Sequence, residues 1–252
     1  GTFYYQLLIC SCFIEVVEYV LITDNSWNVS RTVWIQATTD EFLKDKTIET
    51  DGQKSFVTIQ PIGLVLGIMP WNFPFWQVFR FAIPCLISGN GAILKHASNV
   101  QGCGFAIESS FVNAGFPKYL FQNISVSGKR VSKIIKNSKI SAVTLTGSTP
   151  AGKSVAEVAG GVLKKTVLEL GGSDPYVILR DANIKKAIDS CINGRILNTG
   201  QSCISAKRLI VVNDIHDQFL DGLKKELMGK IMGDPNDNVD IGPMVSLEAR
   251  DE

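Results

Sequence analysis

A chain of 252 residues with 45% hydrophobic and 19% charged residues has the composition of a folded globular protein, which excludes intrinsic disorder. Its 25 basic and 24 acidic residues give a net charge of +1, so there is no electrostatic basis for binding nucleic acid or an anionic membrane surface. The six cysteines include no CxxC pair, so we predict no metal site. A disulfide framework is not expected in a chain of this size and composition, and we therefore expect a cytoplasmic protein.

The N-terminal segment, residues 1–33, is atypical, and its role stays open. Residues 3–22 are mostly apolar and about as long as the ~20 residues that cross a bilayer as a helix. Gln6, Glu15 and Glu18 interrupt this stretch, and an acidic side chain in a membrane-spanning helix costs roughly 2.5–3.5 kcal/mol. We therefore expect no membrane contact, and favour a packed helix or strand, or a stretch foreign to the fold, over an anchor.

From residue 39 onward the sequence predicts short elements separated by turns. A charged helix end is predicted over residues 39–46, and Asp51-Gly52 predicts a hairpin with arms at residues 47–50 and 54–60. Short apolar runs then alternate with helical periodicity. The strands predicted in this part are residues 64–69, 92–95 and 142–145, and the helices are residues 100–114, 129–137 and 151–159.

The same alternation continues in the second half of the chain. It predicts strands at residues 166–170, 176–179 and 208–212, and helices at residues 184–197 and 214–231. Such alternation is typical of a parallel sheet covered by helices on both faces, so the predicted fold class is α/β with a Rossmann-like doubly wound sheet. Gly171-Gly172 predicts the boundary between a domain at residues 34–170 and an incomplete second domain at residues 171–252.

Cys203 is the first of three residues that carry the predicted chemistry. It follows Asn198-Thr199-Gly200-Gln201-Ser202, where a predicted helix passes into a loop and a thiol can face a cleft. The thiolate is the nucleophilic form of cysteine. A lone cysteine is more often a small buried hydrophobic residue, and we interpret the other five cysteines in that way.

Glu169 and Asn72 are the other two residues that carry the predicted chemistry. Glu169 ends an apolar strand directly before two glycines, so we expect its carboxylate to turn toward the interior and to suit a general base. Asn72 lies between Pro70 and Pro74 after a predicted strand, and a rigidly framed amide can donate to a developing oxyanion. Taken alone, each could be ordinary: Glu169 a surface carboxylate and Asn72 part of a proline-rich turn.

Together, Pro70-Trp71-Asn72-Phe73-Pro74, Glu169-Leu170-Gly171-Gly172 and Asn198 to Cys203 resemble the aldehyde dehydrogenase superfamily, in the right order and at near-normal spacing. The resemblance runs from about residue 34 to residue 252, and is greatest to the NAD(P)-dependent succinate-semialdehyde dehydrogenases. It implies that Cys203 is the nucleophile, Glu169 the general base and Asn72 an oxyanion donor. The implied reaction oxidises an aldehyde to an acid through a thiohemiacetal and a thioester. The complete enzyme is expected to be a homodimer or homotetramer.

The resemblance also implies a binding site for NAD or NADP. Lys95 is expected to bind the adenosine ribose, and the Gly147-Ser148 turn to meet the pyrophosphate at a helix N-terminus. Ser98 stands where many NAD-specific members carry a glutamate, so we expect NADP to be tolerated. Lys95 could instead be a solvated lysine at a strand end. The other residues assigned to the cofactor are Trp71, Leu170 and Gly171.

Arg80 is the candidate residue for substrate selection. It stands where the succinate-semialdehyde enzymes carry an arginine for the distal carboxylate of the substrate, a group that a guanidinium binds well. Their frequent second arginine is replaced here by Leu197, with Arg195 two residues earlier. Arg80 could equally be a charge on a helix surface.

Two other functions stay open. A CoA-acylating member of the superfamily would pass the thioester to CoA, but that branch commonly lacks the glutamate that Glu169 provides. The chain could also be a non-catalytic cofactor-binding or interaction fragment. Family members are nearly twice as long, and a Glu-x-Phe-Gly-Pro motif is missing after Cys203. We accordingly expect these 252 residues alone to fold in part and to have little activity.

Overall fold

The computed structural model describes residues 43–251, so the expectation for residues 1–33 lies outside the described residues. The chain divides into two compact units between Glu169 and Leu170. Half of the helix end predicted over residues 39–46, residues 39–42, also falls outside the described part. Its described residues form a turn and the start of the first strand, so the prediction of a helix is wrong there.

The predicted hairpin is confirmed, although its paired part is short. Strand β1 (Lys46–Thr47) pairs antiparallel with β2 (Phe56–Val57), with Lys46 opposite Val57. The amide of Ile48 donates to the carbonyl of Ser55 at 2.9 Å and extends the pairing by one bond. Both strands are exposed to solvent.

A five-stranded parallel sheet forms the centre of the first unit, which confirms the predicted fold class. Its strands are β3 (Leu64–Met69), β4 (Gly91–His96), β5 (Phe121–Asn123), β6 (Ile140–Thr146) and β7 (Lys165–Glu169). Their spatial order is β5-β4-β3-β6-β7, so the chain builds one side of the sheet from β3 and then returns to build the other from β6. The boundary between β3 and β6 is therefore the topological switch point, where such sheets bind ligands.

Four helices connect these strands. They are α1 (Trp76–Ile87), α2 (Gln101–Asn113), α3 (Gly128–Ile135) and α4 (Thr149–Gly160). The last three were predicted, but α1 and the three-residue strand β5 were missed. Helix α1 carries Pro84 in its interior, where the ring removes the hydrogen bond to the carbonyl of residue 80. It forms nevertheless, because Val78, Ala82 and Leu86 recur every four residues and are all buried.

Close contact between α1 and β3 depends on one glycine. A Cβ at Gly67 would lie 2.2 Å from Cζ of Phe81, so only glycine lets this ring pack on the strand. The core around it is dense, since Leu66, Leu94 and Ile107 are fully buried. This packing fixes α1, and the turn that leads into it, against the sheet.

The second unit contains a two-stranded parallel sheet, β8 (Pro175–Ile178) and β9 (Arg208–Val211), joined through helix α5 (Ile184–Ile196). Helices α6 (His216–Met228) and α7 (Leu247–Asp251) follow. Its core consists of Ile178, Ile188, Cys191, Ile192 and Phe219. Strands β8 and β9 confirm the two strands predicted at residues 176–179 and 208–212. Val177 and Ile210 face each other across the strands and are 59% and 51% exposed, so this face of the small sheet is uncovered within the described chain.

Candidate active site

The predicted site residues of the first unit gather at one edge of the sheet. All five strands are parallel, so the segments that follow their carboxyl ends share that edge. The Asn72 turn follows β3, Lys95 lies at the end of β4, the Gly147-Ser148 turn follows β6, and Glu169 ends β7. The Asn72 turn and the Gly147-Ser148 turn therefore flank the switch point between β3 and β6.

The turn that carries Asn72 is held at both ends. It begins after Met69, and Asn72 and Trp71 are both partly buried within it. On its far side the amide of Gln77 donates to the carbonyl of Phe73 at 3.0 Å, which starts α1. The ring of His96 lies 2.9 Å from the carbonyl oxygen of Pro74. The Asn72 amide is thus carried by a segment tied to both the helix and the neighbouring strand.

Lys95 and Ser98 lie at the carboxyl end of β4. Lys95 is half-buried, and this burial lowers the pKa of its ammonium group below the ordinary lysine value, because desolvation disfavours the charged form. Ser98 begins a 3-10 helix, Ser98–Val100, and is exposed. A cation and an uncharged hydroxyl residue therefore stand close together in the chain at this edge.

The Gly147-Ser148 turn leads into helix α4. Ser148 is the N-cap residue, and its hydroxyl oxygen accepts from the amide of Ala151 at 3.4 Å. Pro150 lies in the first turn of this helix, where proline is well tolerated because its missing N–H would have no partner within the helix. The amide of Gly147 donates to the carbonyl of Glu169 at 2.9 Å, so this amide is committed to the sheet rather than to a ligand. The positive end of the α4 dipole remains directed at the carboxyl edge.

Glu169 does not turn into the interior, so that expectation is wrong. Its side chain is 44% exposed, and its carboxylate lies 3.8 Å from Nη2 of Arg80, which is 19% exposed. This contact was not predicted, because the bounds of α1 were not predicted. Arg80 is therefore a mostly buried helix residue with an anionic neighbour, rather than an isolated surface charge.

In the second unit, a left-handed turn precedes Cys203. Asn198, Thr199 and Gly200 have consecutive positive φ angles of 51°, 58° and 74°. A β-branched residue such as Thr199 is rare in this conformation, which costs on the order of 1–3 kcal/mol and is often found at functional sites. Gly200 is required, because a Cβ there would lie 2.2 Å from Nη1 and 3.0 Å from the carbonyl oxygen of Arg195.

Cys203 itself is partly buried in the loop that follows. Its carbonyl oxygen accepts from Nζ of Lys207 at 3.3 Å, and the same ammonium group donates to the carbonyl of Gly172. Lys207 thus joins the Cys203 loop to the glycine pair near the start of this unit, where Leu170 is partly buried and Gly171 is exposed. Lys207 was not predicted as a site residue, although its position four residues after a candidate nucleophile is visible in the sequence.

Two of the other cysteines lie in environments that suppress ionisation. Burial raises the pKa of Cys85 to about 12, and it also raises the pKa of Cys191 above the ordinary value. Neither thiol is a thiolate near neutral pH. Among the described residues, no group of three His, Cys, Asp or Glu side chains could hold a metal ion, and within residues 43–251 no helix is long and apolar enough to cross a membrane.

The chain matches one protein family over most of its length. The aldehyde dehydrogenase family matches residues 26–252. The chain is 49% identical over 208 residues to a protein of Synechocystis sp. named probable succinate-semialdehyde dehydrogenase (NADP(+)), a match that covers 82% of this chain and 46% of the relative.

Solved structures agree with this match. Succinic semialdehyde dehydrogenase from Streptococcus pyogenes, in complex with NADP+, aligns with a TM-score of 0.83 at 36% identity, over 86% of this chain and 48% of that one. PnpE in complex with nicotinamide adenine dinucleotide aligns with a TM-score of 0.81 at 30% identity, over 86% and 45%. The chain spans about half the length of the relatives it matches.

Proposed function

Since the chain belongs to the aldehyde dehydrogenase family, we propose that its protein oxidises succinate semialdehyde to succinate with NADP+ or NAD+, through a thioester on Cys203. The main support from the structure is the carboxyl edge of the five-stranded sheet. The Asn72 turn and the Gly147-Ser148 turn flank its switch point, and Lys95 lies on the neighbouring strand. The choice of substrate and cofactor is supported by the similar proteins from Synechocystis sp. and Streptococcus pyogenes, which are named as succinate-semialdehyde dehydrogenases that use or bind NADP+.

The residues at this edge fit a dinucleotide phosphate. Lys95 offers a half-buried cation, and α4 directs the positive end of its dipole toward the same edge. Ser98 carries no charge that would repel a 2′-phosphate, so these residues suit NADP+ as well as NAD+. Trp71, Leu170 and Gly171 remain assigned to the same site by resemblance. When bound, the nicotinamide supplies the hydride acceptor of the oxidation.

The roles of the protein residues follow from the chemistry of acyl transfer. The thiolate of Cys203 forms a carbon–sulfur bond to the aldehyde carbon, and the carbonyl electron pair moves onto oxygen. The side-chain amide of Asn72 donates a hydrogen bond to that oxyanion. After the oxidation, Glu169 takes a proton from the water that attacks the thioester. The carbon–sulfur bond then breaks, which releases the acid and restores the thiolate.

Arg80 would select the substrate through its distal carboxylate. It is the one described arginine in contact with Glu169, so a bound carboxylate would share the guanidinium with the proposed general base. The five donors of a guanidinium allow two carboxylate partners at once. Substrate binding and the position of Glu169 are thus linked through one side chain.

The test is an activity assay on the protein as its gene encodes it. Production of NADPH from succinate semialdehyde and NADP+ should be abolished by Cys203→Ala and retained in Cys191→Ala, the control for loss of a thiol. Glu169→Gln should leave a pre-steady-state burst of NADPH but slow later turnovers, because hydrolysis of the thioester is then impaired. Added CoA should not alter the rate. Activity that survives in Cys203→Ala would rule out the proposed chemistry.

A further inference from the structure

His96 contributes a buried polar group to the carboxyl edge that the sequence analysis did not assign. It is the last residue of β4 and is fully buried. Side chains alternate between the two faces of a strand, so His96 points away from the face that carries Lys95. An imidazole removed from water in this way needs hydrogen-bond partners in the protein.

The ring lies against a carbonyl oxygen at each end of the Asn72 turn. Nε2 lies 2.9 Å from the carbonyl oxygen of Pro74, and Nδ1 lies 3.2 Å from the carbonyl oxygen of Met69. Met69 and His96 are neighbours in the β3–β4 register, so the start of the turn is fixed beside the ring. The five residues 70–74 therefore run between two carbonyls that the same side chain contacts.

The geometry favours one tautomer. A carbonyl can only accept, so Nε2 must carry the hydrogen that is donated to Pro74. The amide of Ala97 lies 3.0 Å from Nδ1 and 3.0 Å from the carbonyl oxygen of Met69, and a single N–H can be shared between two such acceptors. Nδ1 is then an acceptor, and a neutral imidazole protonated at Nε2 satisfies both nitrogens.

We propose that His96 is a positioning residue for the oxyanion donor: its Nε2–H holds the Pro74 carbonyl, and thereby keeps the Asn72 turn in its working position. The proposal rests on the proposed function. Pro70 and Pro74 have no N–H, so the turn has few backbone donors with which to hold itself in place. A displacement of the Asn72 amide by about 1 Å would weaken its hydrogen bond to the oxyanion and slow formation of the thioester.

The first test needs no enzymatic activity. His96→Met and His96→Gln have side chains of similar length, but only glutamine can donate to the Pro74 carbonyl. Hydrogen exchange in the peptide covering residues 70–76 should be faster in His96→Met than in the parent, and close to the parent in His96→Gln. His216→Met removes the other, half-exposed histidine and should change nothing in this peptide. Unchanged exchange in His96→Met would overturn the proposal.

The second test is a double-mutant cycle on the thioester-forming burst. His96→Met should slow the burst roughly 10- to 100-fold without changing the Kd for NADP+, and His96→Gln should recover most of the rate. In an Asn72→Ala background, His96→Met should cost nothing further, because the donor that it positions is already gone. Losses that multiply in the double variant would contradict a role through Asn72.

The exchange and burst experiments distinguish failure of the proposed function from failure of the positioning role of His96. A parent protein that oxidises no aldehyde would refute the proposed function, while the exchange experiment would still decide whether His96 holds the turn. If His96→Met does not unfold cooperatively, the burst rate of His96→Gln decides the question. A rate close to that of the parent supports the proposal, and a rate as slow as that of Asn72→Ala overturns it.

Discussion

Replacement of Arg80 by alanine should separate substrates that carry a distal carboxylate from those that do not. The Arg80–Glu169 contact of 3.8 Å is screened, since the glutamate is 44% exposed, and such pairs contribute roughly 0.2–1 kcal/mol. Loss of this contact should therefore change kcat/KM for any aldehyde by at most about fivefold. The guanidinium of Arg80 is only 19% exposed. A charge-assisted contact between such a group and the carboxylate of the substrate is worth roughly 2–5 kcal/mol.

The assay compares kcat/KM for succinate semialdehyde and butyraldehyde. Arg80→Ala should lower the first about 30-fold to several thousand-fold, and the second no more than about fivefold. Arg130→Ala removes an exposed arginine of α3 and should leave both values unchanged. Arg80→Lys keeps the charge without the planar fork, so it should fall between parent and alanine variant. An equal fall for both aldehydes in Arg80→Ala would refute a role in carboxylate recognition.

Three further predictions concern the fold. Gly67→Ala should destabilise the protein by roughly 1–3 kcal/mol in urea unfolding, because the new methyl overlaps the Phe81 ring. Gly102→Ala, whose methyl would meet nothing beyond its own helix backbone and chain neighbours, should not destabilise the protein, and equal effects of the two changes would contradict this packing. Cys85 keeps its proton to about pH 12 when folded but loses it near pH 9.0 when unfolded, so its contribution to stability is complete below pH 9.0 and should fall above it by about 1.4 kcal/mol per unit. Cys85→Ala should weaken this alkaline loss, and parallel pH curves for parent and variant would exclude it. Gly200→Ala should lower the free energy of unfolding by roughly 1–2 kcal/mol, because φ at this position is +74°, and it should also slow the burst of NADPH. Normal stability and a normal burst rate would show that the turn before Cys203 tolerates a side chain.

Most of the sheet could be predicted because its central strands, β3 and β6, are largely buried on both faces. Residues 64–69 form an unbroken apolar run between Gly63 and Pro70, and the observed strand has these same bounds. Helix α1 was missed because prolines at 74 and 84 argue against a helix locally, while the packing that outweighs them is visible only in three dimensions. Three-residue β5 is too short to carry a periodic signal.

The contacts at the carboxyl edge could not have been predicted from the sequence. The bond from His96 to Pro74 depends on the register that sets Met69 beside His96. The Arg80–Glu169 pair depends on how helix α1, whose bounds were not predicted, packs against the sheet. The strained turn at Thr199 likewise has no sequence signal, since threonine is a poor choice for a left-handed conformation. The catalytic roles of Cys203, Glu169 and Asn72, and the role of Ser98 in cofactor choice, remain predictions.

The most direct test of a thioester on Cys203 is to trap it. The Glu169→Gln variant of the protein as its gene encodes it is mixed with succinate semialdehyde and NADP+, quenched in acid within the burst, and measured as intact protein and as peptides by mass spectrometry. We predict one added succinyl group, formed only when NADP+ is present and located on the peptide that contains Cys203. A burst of NADPH without that adduct, or a succinyl group on Cys191 or Cys103 instead, would contradict the assignment of Cys203 as the nucleophile.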